Sequence, residues 1–290
     1  ARHMMIPRQG HLHAMKRVFG YLKSNHKFSI DYDINQPDFS KHKIESYDWF
    51  PLYGNVTEEL PYNMPDPLGK EVITSGFFDS SHASCLVTRR STTCVILFVN
   101  GTPIRWYSKR QNTVETSTYG SETVAGRIAV DLAVELRYNL RMLGAAVKGT
   151  TVLFGDNQSM VTNASKPHST LKKRHAANNY HRVREAVASG IVSIVHCDTK
   201  YNLADMGTKA LPGPTYQFLL QNQHFPPVST AGECKKEIKA TTSADAKLVL
   251  SVMSRLEEDV AQAFSDASFR ICDISSTALH SQACMAISFA

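Results

Sequence analysis

Four isolated acidic residues stand where apolar segments of the sequence end or begin. Asp79 closes a short apolar run, and Asp156 directly follows another. Glu122 and Asp205 lie near the starts of two segments with helical character. Hard divalent cations such as Mg²⁺ prefer oxygen ligands, and two of them about 4 Å apart are a common means of cleaving a phosphodiester. The four acids together therefore predict a two-metal site acting on a phosphate ester.

Each acid also has an ordinary structural explanation. Asp156 stands where a residue would cap a helix, Glu122 where it would favour the positive start of a helix, and Asp79 where it would form a turn. For any one acid alone, the structural explanation is the more common one. The order of the surrounding elements nevertheless favours a shared site.

The elements that carry these acids follow the order β-β-β-α-β-α-α-β-α. Asn100 and Gly101 separate two β-rich runs, which is the strongest short signal for a hairpin. Strands that alternate with helices favour parallel pairing. The predicted strands are 72–79, 92–99, 102–108, 151–154 and 191–196, and the predicted helices are 121–144, 157–163, 172–189 and one opening near 202. We therefore predict an α/β fold with a mixed five-stranded sheet, in which Asp79 and Asp156 project from the same edge.

The flanking segments differ in composition from this central part. Residues 1–30 show helical spacing of apolar side chains, residues 31–72 contain five prolines and read as a linker without regular structure that lies against a neighbour, and residues 214–290 have no assignable role beyond a helix expected at 241–267. The apolar positions of the first helix are His11, Met15, Val18, Phe19 and Leu22.

The bulk composition of the 290 residues is that of a globular protein with a modest positive charge. A net charge of +6 makes a polyanion a reasonable partner. No apolar run approaches the roughly 20 residues that a membrane span needs, so no membrane association is expected. Six cysteines without a CxxC pair are typical of a reducing intracellular compartment. A zinc site at His82, Cys85 and Cys94 lacks a second pair of ligands.

Several ordered motifs resemble the ribonuclease H domain of copia-type LTR retrotransposon polyproteins. The strand and Asp-Asn-Gln-Ser sequence at 150–159, the segment 115–125 around Glu122, and the Leu-Ala-Asp-x-x-Thr-Lys-x-Leu-Pro ending at 203–212 carry the resemblance. Residues 90–93 and 101–111 are similar to the family's second and third strands, and residues 1–23 resemble the end of the preceding reverse transcriptase. The resemblance covers residues 1–25 and 73–213.

The resemblance implies a ribonuclease H-like fold at 73–213, preceded by the C-terminal helix of a reverse transcriptase at 1–30 and a linker at 31–72. It implies an endonuclease that hydrolyses the RNA strand of an RNA/DNA hybrid with two Mg²⁺ ions, Mn²⁺ being an alternative. Asp79 and Asp156 would hold the ions most directly, while Glu122 and Asp205 would each complete one. The products would be a 5′-phosphate and a 3′-hydroxyl. The expected setting is a cytoplasmic virus-like particle, with the upstream reverse transcriptase as partner.

The sequence departs from the family pattern next to two of the acids. The family often has a further acid two residues before the helix-start glutamate, where this chain has Gly120. Glu115 lies five residues before Gly120 and is an unlikely replacement. The usual Asp-x-Asp-Trp opening reads Asp79-Ser-Ser-His82 here. Both changes could alter metal affinity or contacts with the hybrid.

A basic helix and three histidines are the remaining candidates for contact with a substrate. Phosphate contacts provide most nucleic-acid affinity, so a row of cations predicts a binding face, although a solvated helix face would look the same. His196 lies within an apparent strand and is interpreted as a packed structural residue, whereas His175 or His181 is expected near the substrate. The predicted nucleic-acid-binding residues are Lys172, Lys173, Arg174, His175, His181, Arg182 and Arg184.

Two other functions remain open at this point. A catalytically silent ribonuclease H-like module could position nucleic acid for the polymerase, but such a module gains nothing from four grouped carboxylates that repel one another. An integrase-like strand transferase would need three acids in another spacing and a His/Cys zinc segment that is missing here.

Overall fold

Five β-strands form one mixed sheet in the computed structural model, which describes residues 8–24, 26, 30, 32–40, 42, 44–171 and 174–221. The strands are β1 (Leu68–Ser81), β2 (Thr92–Val99), β3 (Thr102–Arg110), β4 (Ala145–Gly155) and β5 (Val192–His196). Their order across the sheet is β3-β2-β1-β4-β5. The pairs β1–β2 and β2–β3 are antiparallel, and β1–β4 and β4–β5 are parallel. This topology confirms the predicted mixed five-stranded sheet of three antiparallel strands followed by parallel ones.

Helices cover both faces of this sheet. They are α1 (Gln9–Ser24), α2 (Phe50–Tyr53), α3 (Thr118–Met142), α4 (Gln158–Ser165), α5 (Ala177–Ala188) and α6 (Gly213–Gln221), with 3₁₀ segments at Arg174–Ala176, Thr199–Tyr201 and Leu203–Gly207. Successive side chains of a strand point to opposite faces, so Phe78 packs under α3, α4 and α5, whereas Phe77 packs against the 3₁₀ segments and α6. The sheet is therefore buried on both sides.

The hairpin between β2 and β3 forms where the Asn-Gly pair predicts it. Val99 pairs with Thr102, which leaves a two-residue loop, and Asn100 has a φ of +53°. Asparagine tolerates this left-handed conformation better than most residues. The Asn100 side chain also accepts a hydrogen bond from the backbone N–H of Ile73 at 2.9 Å, which ties the turn to β1.

Local signals also determine where α3 begins and ends. The Ser117 hydroxyl accepts from the backbone N–H of Gly120 at 3.2 Å and caps the helix. Gly144 follows the helix with a φ of +77°, a conformation that glycine adopts without strain. The helix therefore begins three residues earlier than predicted and is followed at once by β4.

Strand and helix bounds differ from the predictions where tertiary pairing decides them. β1 begins at Leu68 instead of residue 72, because Leu68 pairs with Ala145 at the start of an equally extended β4. The predicted basic helix is a 3₁₀ turn followed by α5. The helix predicted near residue 202 is the 3₁₀ segment Leu203–Gly207, with α6 beginning only at Gly213.

The segment 31–72 lies against the sheet domain and contains regular structure, contrary to the prediction that it has none. It includes α2 and the first residues of β1. Asp33 donates its backbone N–H to the Thr102 hydroxyl at 2.8 Å, and the Phe39 ring lies 5.7 Å from that of Phe154. The neighbour that this segment contacts is therefore the predicted nuclease domain itself.

The two ends of the chain are only partly described. α1 is shorter than the predicted helix at 1–30; residues 1–7 lie outside the described residues, as does the helix predicted at 241–267. Tyr21 on α1 and Tyr216 on α6 are joined by a hydrogen bond of 3.1 Å between their hydroxyls. No helix among the described residues is both long and apolar enough to cross a bilayer. The division into four domains stays a prediction.

A buried ion cluster fastens the segment 31–72 to α3. The carboxylate of Glu58 accepts from Arg137 at 2.8 Å and from Arg141 at 2.5 Å, and the Arg137 side chain is 3% exposed. Burial alone would raise the pKa of Glu58, but the two guanidinium groups outweigh it and lower the pKa to about 2. The negative charge of Glu58 is therefore part of the folded structure.

We expect Glu58→Gln to lower the free energy of unfolding by about 3 kcal/mol at pH 7, because it leaves the buried guanidinium of Arg137 and the partly buried one of Arg141 without their carboxylate. A lowered pKa contributes stability above the ordinary pKa of 4.5, and this stability is lost as pH falls from about 4.5 towards about 2. Urea unfolding of both proteins across this range measures the difference. The control is Glu59→Gln, a substitution of the exposed neighbouring residue. Equal losses of unfolding free energy in the two variants would show that the ion cluster around Glu58 does not stabilise the fold.

Candidate metal centre

Three of the four predicted acids converge at one edge of the sheet. β1 and β4 are parallel neighbours, so their carboxyl ends meet at the same edge. Asp79 lies near the end of β1, Asp156 directly follows β4, and Asp205 lies on the 3₁₀ segment Leu203–Gly207. One carboxylate oxygen of each lies within 4.8 Å of the others. Asp79 and Asp205 are buried, and Asp156 is partly exposed.

Glu122 approaches this cluster from the first turns of α3. The residue is buried, and its Oε1 accepts from the backbone N–H of Ser80 at 3.2 Å and from the Ser80 hydroxyl at 3.1 Å. Its Oε2 has no hydrogen-bond partner. Ser80 directly follows Asp79, so the glutamate is fixed to the strand that carries the first acid.

Close packing places Asp156 at this edge. A Cβ on Gly155 would lie 2.5 Å from the ring of Phe78, so this position accepts only glycine without a shift of the core. His196 at the end of β5 is exposed, and its Nε2 lies 3.1 Å from the backbone oxygen of Asp156. The prediction of a packed histidine is therefore wrong, because His196 contacts the backbone from the surface.

Asn202 fixes the segment that carries Asp205. Its side chain is fully buried, accepts from the backbone N–H of Ala204 at 3.1 Å and donates to the backbone oxygen of Phe78 at 3.1 Å. This second contact joins the 3₁₀ segment to the residue that precedes Asp79. Asp205 is thereby held opposite β1 by a side chain that sequence reasoning gave no role.

Thr208 and Lys209 supply the polar contacts of the aspartates. The Thr208 hydroxyl donates to Oδ2 of Asp79 at 2.5 Å, and the Lys209 ammonium lies 2.8 Å from Oδ1 of Asp205. Both residues belong to the Leu-Ala-Asp-x-x-Thr-Lys motif, but the sequence analysis assigned them no function. Their position in that motif was the only signal of a role beside the acids.

The carboxylates disfavour one another's ionisation. Burial, with added repulsion from Asp79 and Asp156, raises the pKa of Glu122 well above its usual range. Burial and Asp79 also raise the pKa of Asp156. Burial raises the pKa of Asp205 to about 7 with a contribution from Asp79, although the Lys209 ammonium opposes the rise. A divalent cation would relieve this repulsion.

The donor set fits a hard cation. It consists of carboxylate oxygens alone, which suits Mg²⁺ or Mn²⁺, and Oε2 of Glu122 is a buried acceptor without a partner. Among the described residues, the group of metal-ligating side chains close enough to share an ion is this aspartate triad. Cys94, considered as a zinc ligand, is buried.

Glu115 occupies the space above Gly120, where the family often has an acid. Its Oε2 lies 2.6 Å from the position that a Cβ on Gly120 would take, so a larger residue at 120 would displace it. The same oxygen lies 3.4 Å from Nε2 of His175, which is exposed. Glu115 therefore fills this position and contacts one of the two candidate histidines.

The predicted nucleic-acid-binding residues divide into different environments. Lys172 and Lys173 lie outside the described residues, as does the side chain of Arg174. His181 is exposed, and its Nδ1 lies 2.8 Å from the Tyr53 hydroxyl. Arg182 is half-buried and pairs with Asp131 on α3 at 3.1 Å. His175, His181 and Arg182 therefore remain accessible from solvent.

Arg184 makes structural contacts, which argue against its predicted role in nucleic-acid binding. It is 2% exposed, and its guanidinium lies 4.9 Å from the centre of the Trp49 ring and 4.7 Å from that of Tyr180. It donates to four backbone carbonyls, that of Asn163 in α4 and those of Lys166, Pro167 and Ser169 in the loop that follows. The loop satisfies the guanidinium, which has no surface to offer to a phosphate.

Comparisons with known proteins find similarity between this chain and transposon polyproteins. It is 29% identical over 144 residues to the retrovirus-related Pol polyprotein from transposon TNT 1-94 of Nicotiana tabacum, covering 50% of this chain and 11% of that protein. It is 26% identical over 220 residues to the Pol polyprotein from transposon RE1 of Arabidopsis thaliana, covering 74% and 12%. The chain thus spans about one eighth of these relatives. No family model matches it.

Solved structures with some similarity include ribonucleases H. RNase H1 from the archaeon Halobacterium salinarum NRC-1 is 15% identical, with 52% of this chain and 98% of that chain covered and a TM-score of 0.37. The foamy viral protease-reverse transcriptase in complex with RNA/DNA hybrid is 14% identical, with 65% and 25% covered and a TM-score of 0.33. The strand order and directions described above, and not these superpositions, define the fold.

The contacts of Arg184 predict a loss of stability when it is replaced. We expect Arg184→Gln to lower the free energy of unfolding by about 3 kcal/mol, because buried loop carbonyls lose charged donors. Its affinity for RNA/DNA hybrid should keep the wild-type dependence on salt concentration, since no phosphate contact is removed. Urea unfolding and hybrid binding at several salt concentrations measure both effects. Arg182→Gln is the surface control, and a shallower salt slope for Arg184→Gln alone would restore the binding role.

The raised pKa of Asp205 predicts a pH-dependent stability in the absence of divalent cations. A carboxyl that holds its proton more tightly when folded contributes stability at low pH, and this is lost as pH rises through the folded value. With a chelator present, the wild type should therefore lose stability relative to Asp205→Asn between about pH 4 and about pH 7. Urea unfolding of both proteins across this range tests it. If the unfolding free energies of the two proteins changed in parallel with pH, the pKa of Asp205 would not be raised in the folded protein.

Proposed function

Because the homologues of this chain are retrovirus-related Pol polyproteins from copia-type plant transposons, we propose that it contains the ribonuclease H activity of such a polyprotein. The reaction is endonucleolytic hydrolysis of the RNA strand of an RNA/DNA hybrid during reverse transcription. The observation that carries this proposal is the convergence of Asp79, Asp156 and Asp205 within 4.8 Å at the edge where β1 and β4 end.

The four acids divide the binding of two Mg²⁺ ions between them. Asp79 and Asp156 would hold the ions most directly, Glu122 would complete one and face the RNA strand, and Asp205 would complete the other. Mn²⁺ has the same preference for oxygen ligands. Bound there, the ions would supply activation of the attacking water and stabilisation of the leaving oxygen, the chemistry that gives a 5′-phosphate and a 3′-hydroxyl. The hydrogen bonds from Ser80 and Thr208 orient Glu122 and Asp79 for this purpose.

The hybrid is recognised by its shape and by the 2′-hydroxyls of the RNA strand, because base edges are poorly accessible in such a duplex. Among the described side chains of the predicted binding face, those of His175, His181 and Arg182 are accessible. The whole chain has a net charge of +6, which favours a polyanionic partner. The upstream reverse transcriptase is the proposed protein partner, and a cytoplasmic virus-like particle is the proposed setting.

The buried acids disfavour a silent module that only positions nucleic acid. Glu122 is buried with one unpaired oxygen, and its pKa is raised by burial and by two neighbouring aspartates. A protein that merely binds a duplex gains nothing from this arrangement and would be more stable with neutral side chains there. A cation-binding site explains why all four acids are retained in one place.

The decisive experiment is cleavage of an RNA/DNA hybrid, labelled on either strand, in the presence of Mg²⁺ or Mn²⁺. We expect the wild type to cut the RNA strand only, leaving 5′-phosphates. Asp79→Asn and Asp156→Asn should reduce cleavage by at least about a thousandfold, because each removes a direct ligand of the ions. Glu122→Gln should reduce it strongly as well.

Glu135→Gln is the matched control for Glu122→Gln, since both glutamates lie on α3 and Glu135 forms a surface pair with Arg105. It should cleave at the wild-type rate. If the wild type binds the hybrid with either metal present but never cuts it, the silent-module function replaces the nuclease. Cleavage that survives both aspartate substitutions would remove the acids from the reaction.

A further inference from the structure

Lys209 is the cation that the structure brings into contact with the acidic cluster. Its Nζ lies 2.8 Å from Oδ1 of Asp205, and its side chain is 44% exposed. Among the described residues, this is the only ion pair that includes any of the four acids. One unit of positive charge therefore faces a group of carboxylates that repel one another.

The backbone delivers this ammonium from a well-fixed segment. The N–H of Lys209 lies 3.3 Å from the backbone oxygen of Asp205, one turn earlier. The intervening Thr208 is anchored by its hydrogen bond to Asp79, and Asn202 anchors the start of the segment. The lysine thus starts from a fixed point beside the cluster, while its partly exposed stem leaves it free to turn towards solvent.

The charge of Lys209 acts on more than one acid. The ammonium lies 2.8 Å from Asp205, whose carboxylate has an oxygen within 4.8 Å of carboxylate oxygens of both Asp79 and Asp156. The ammonium is therefore in the electrostatic field of all three aspartates that converge at this edge. It is placed to offset part of their repulsion when no divalent ion is bound.

A divalent ion and this lysine compete for the carboxylate of Asp205. An ion coordinated by Asp205 together with Asp79 or Asp156 uses an oxygen of Asp205, and Oδ1 is the oxygen that Lys209 contacts. A unit charge a few ångströms away also repels an incoming cation appreciably at the effective dielectric near a protein surface. The lysine therefore has to leave Asp205, or share it at an electrostatic cost, when metal binds.

We propose that Lys209 is a built-in counter-cation that holds the acidic cluster together in the metal-free protein and is displaced from Asp205 by metal. This inference rests on the proposed function in that it requires the acids to bind a divalent ion. Lys209 then sets the concentration at which metal enters the site. The four acids alone do not account for this role.

The test measures metal binding directly, without catalysis. Mn²⁺ binding by calorimetry should be about tenfold tighter for Lys209→Gln than for the wild type, because the competing charge is gone. The metal-free variant should also unfold at a lower temperature, with Mn²⁺ raising that temperature by more than in the wild type. Lys209→Arg, which keeps the charge, should restore binding close to the wild-type value.

Lys148→Gln is the matched control, because Lys148 forms a lysine–carboxylate pair with Glu71 at 2.7 Å on the surface, with both side chains more than half exposed. It should leave the Mn²⁺ affinity unchanged. Equal affinities of Lys209→Gln and Lys148→Gln, weaker binding by Lys209→Gln, or no binding by either it or the wild type would overturn the inference. Tighter binding without hybrid cleavage would support the lysine's role while refuting the nuclease.

Discussion

The mutual repulsion of four clustered carboxylates is the constraint on which the rest of this domain depends. Parallel pairing of β1 and β4 brings Asp79 and Asp156 to one edge, and α3 and the 3₁₀ segment Leu203–Gly207 add the other two acids. Burial raises the pKa of Glu122, Asp156 and Asp205. The arrangement therefore costs stability, which the apolar cores on both faces of the sheet must offset.

Much of this framework could be predicted from the sequence because its signals are local. Asn100 and Gly101 define the hairpin, and alternation of strands and helices after Glu122 implies parallel strands whose ends meet. The acids themselves follow from their positions at the ends of these elements. The contacts of Asn202 and Thr208 were out of reach, because a hydrogen bond across 124 or 129 residues leaves no periodic trace in the chain. The contact of Lys209 with Asp205 is local, and its only signal was the motif that contains both residues.

Charge alone misled the interpretation of α5. Arg184 and Arg182 lie two residues apart in a basic stretch, and only the packing distinguishes them. Arg184 is buried among loop carbonyls, whereas Arg182 stays at the surface beside Asp131. The proline-rich segment before β1 was similarly misjudged, since its attachment depends on Glu58 meeting Arg137, which lies 79 residues later in the chain. In both cases burial decides the role, and burial is a property of the whole fold.

The polar contacts around the cluster bear on what the acids are for. Within the described residues, the one ammonium that contacts the cluster, that of Lys209, faces four carboxylates, so neutralisation inside the protein is incomplete. A fold selected only for stability would remove this excess by substitution, since isosteric neutral residues avoid both repulsion and desolvation. In the function proposed above, the remaining negative potential attracts divalent cations from solution, and the proposed displaceable lysine lets the metal-free protein fold while that potential is kept.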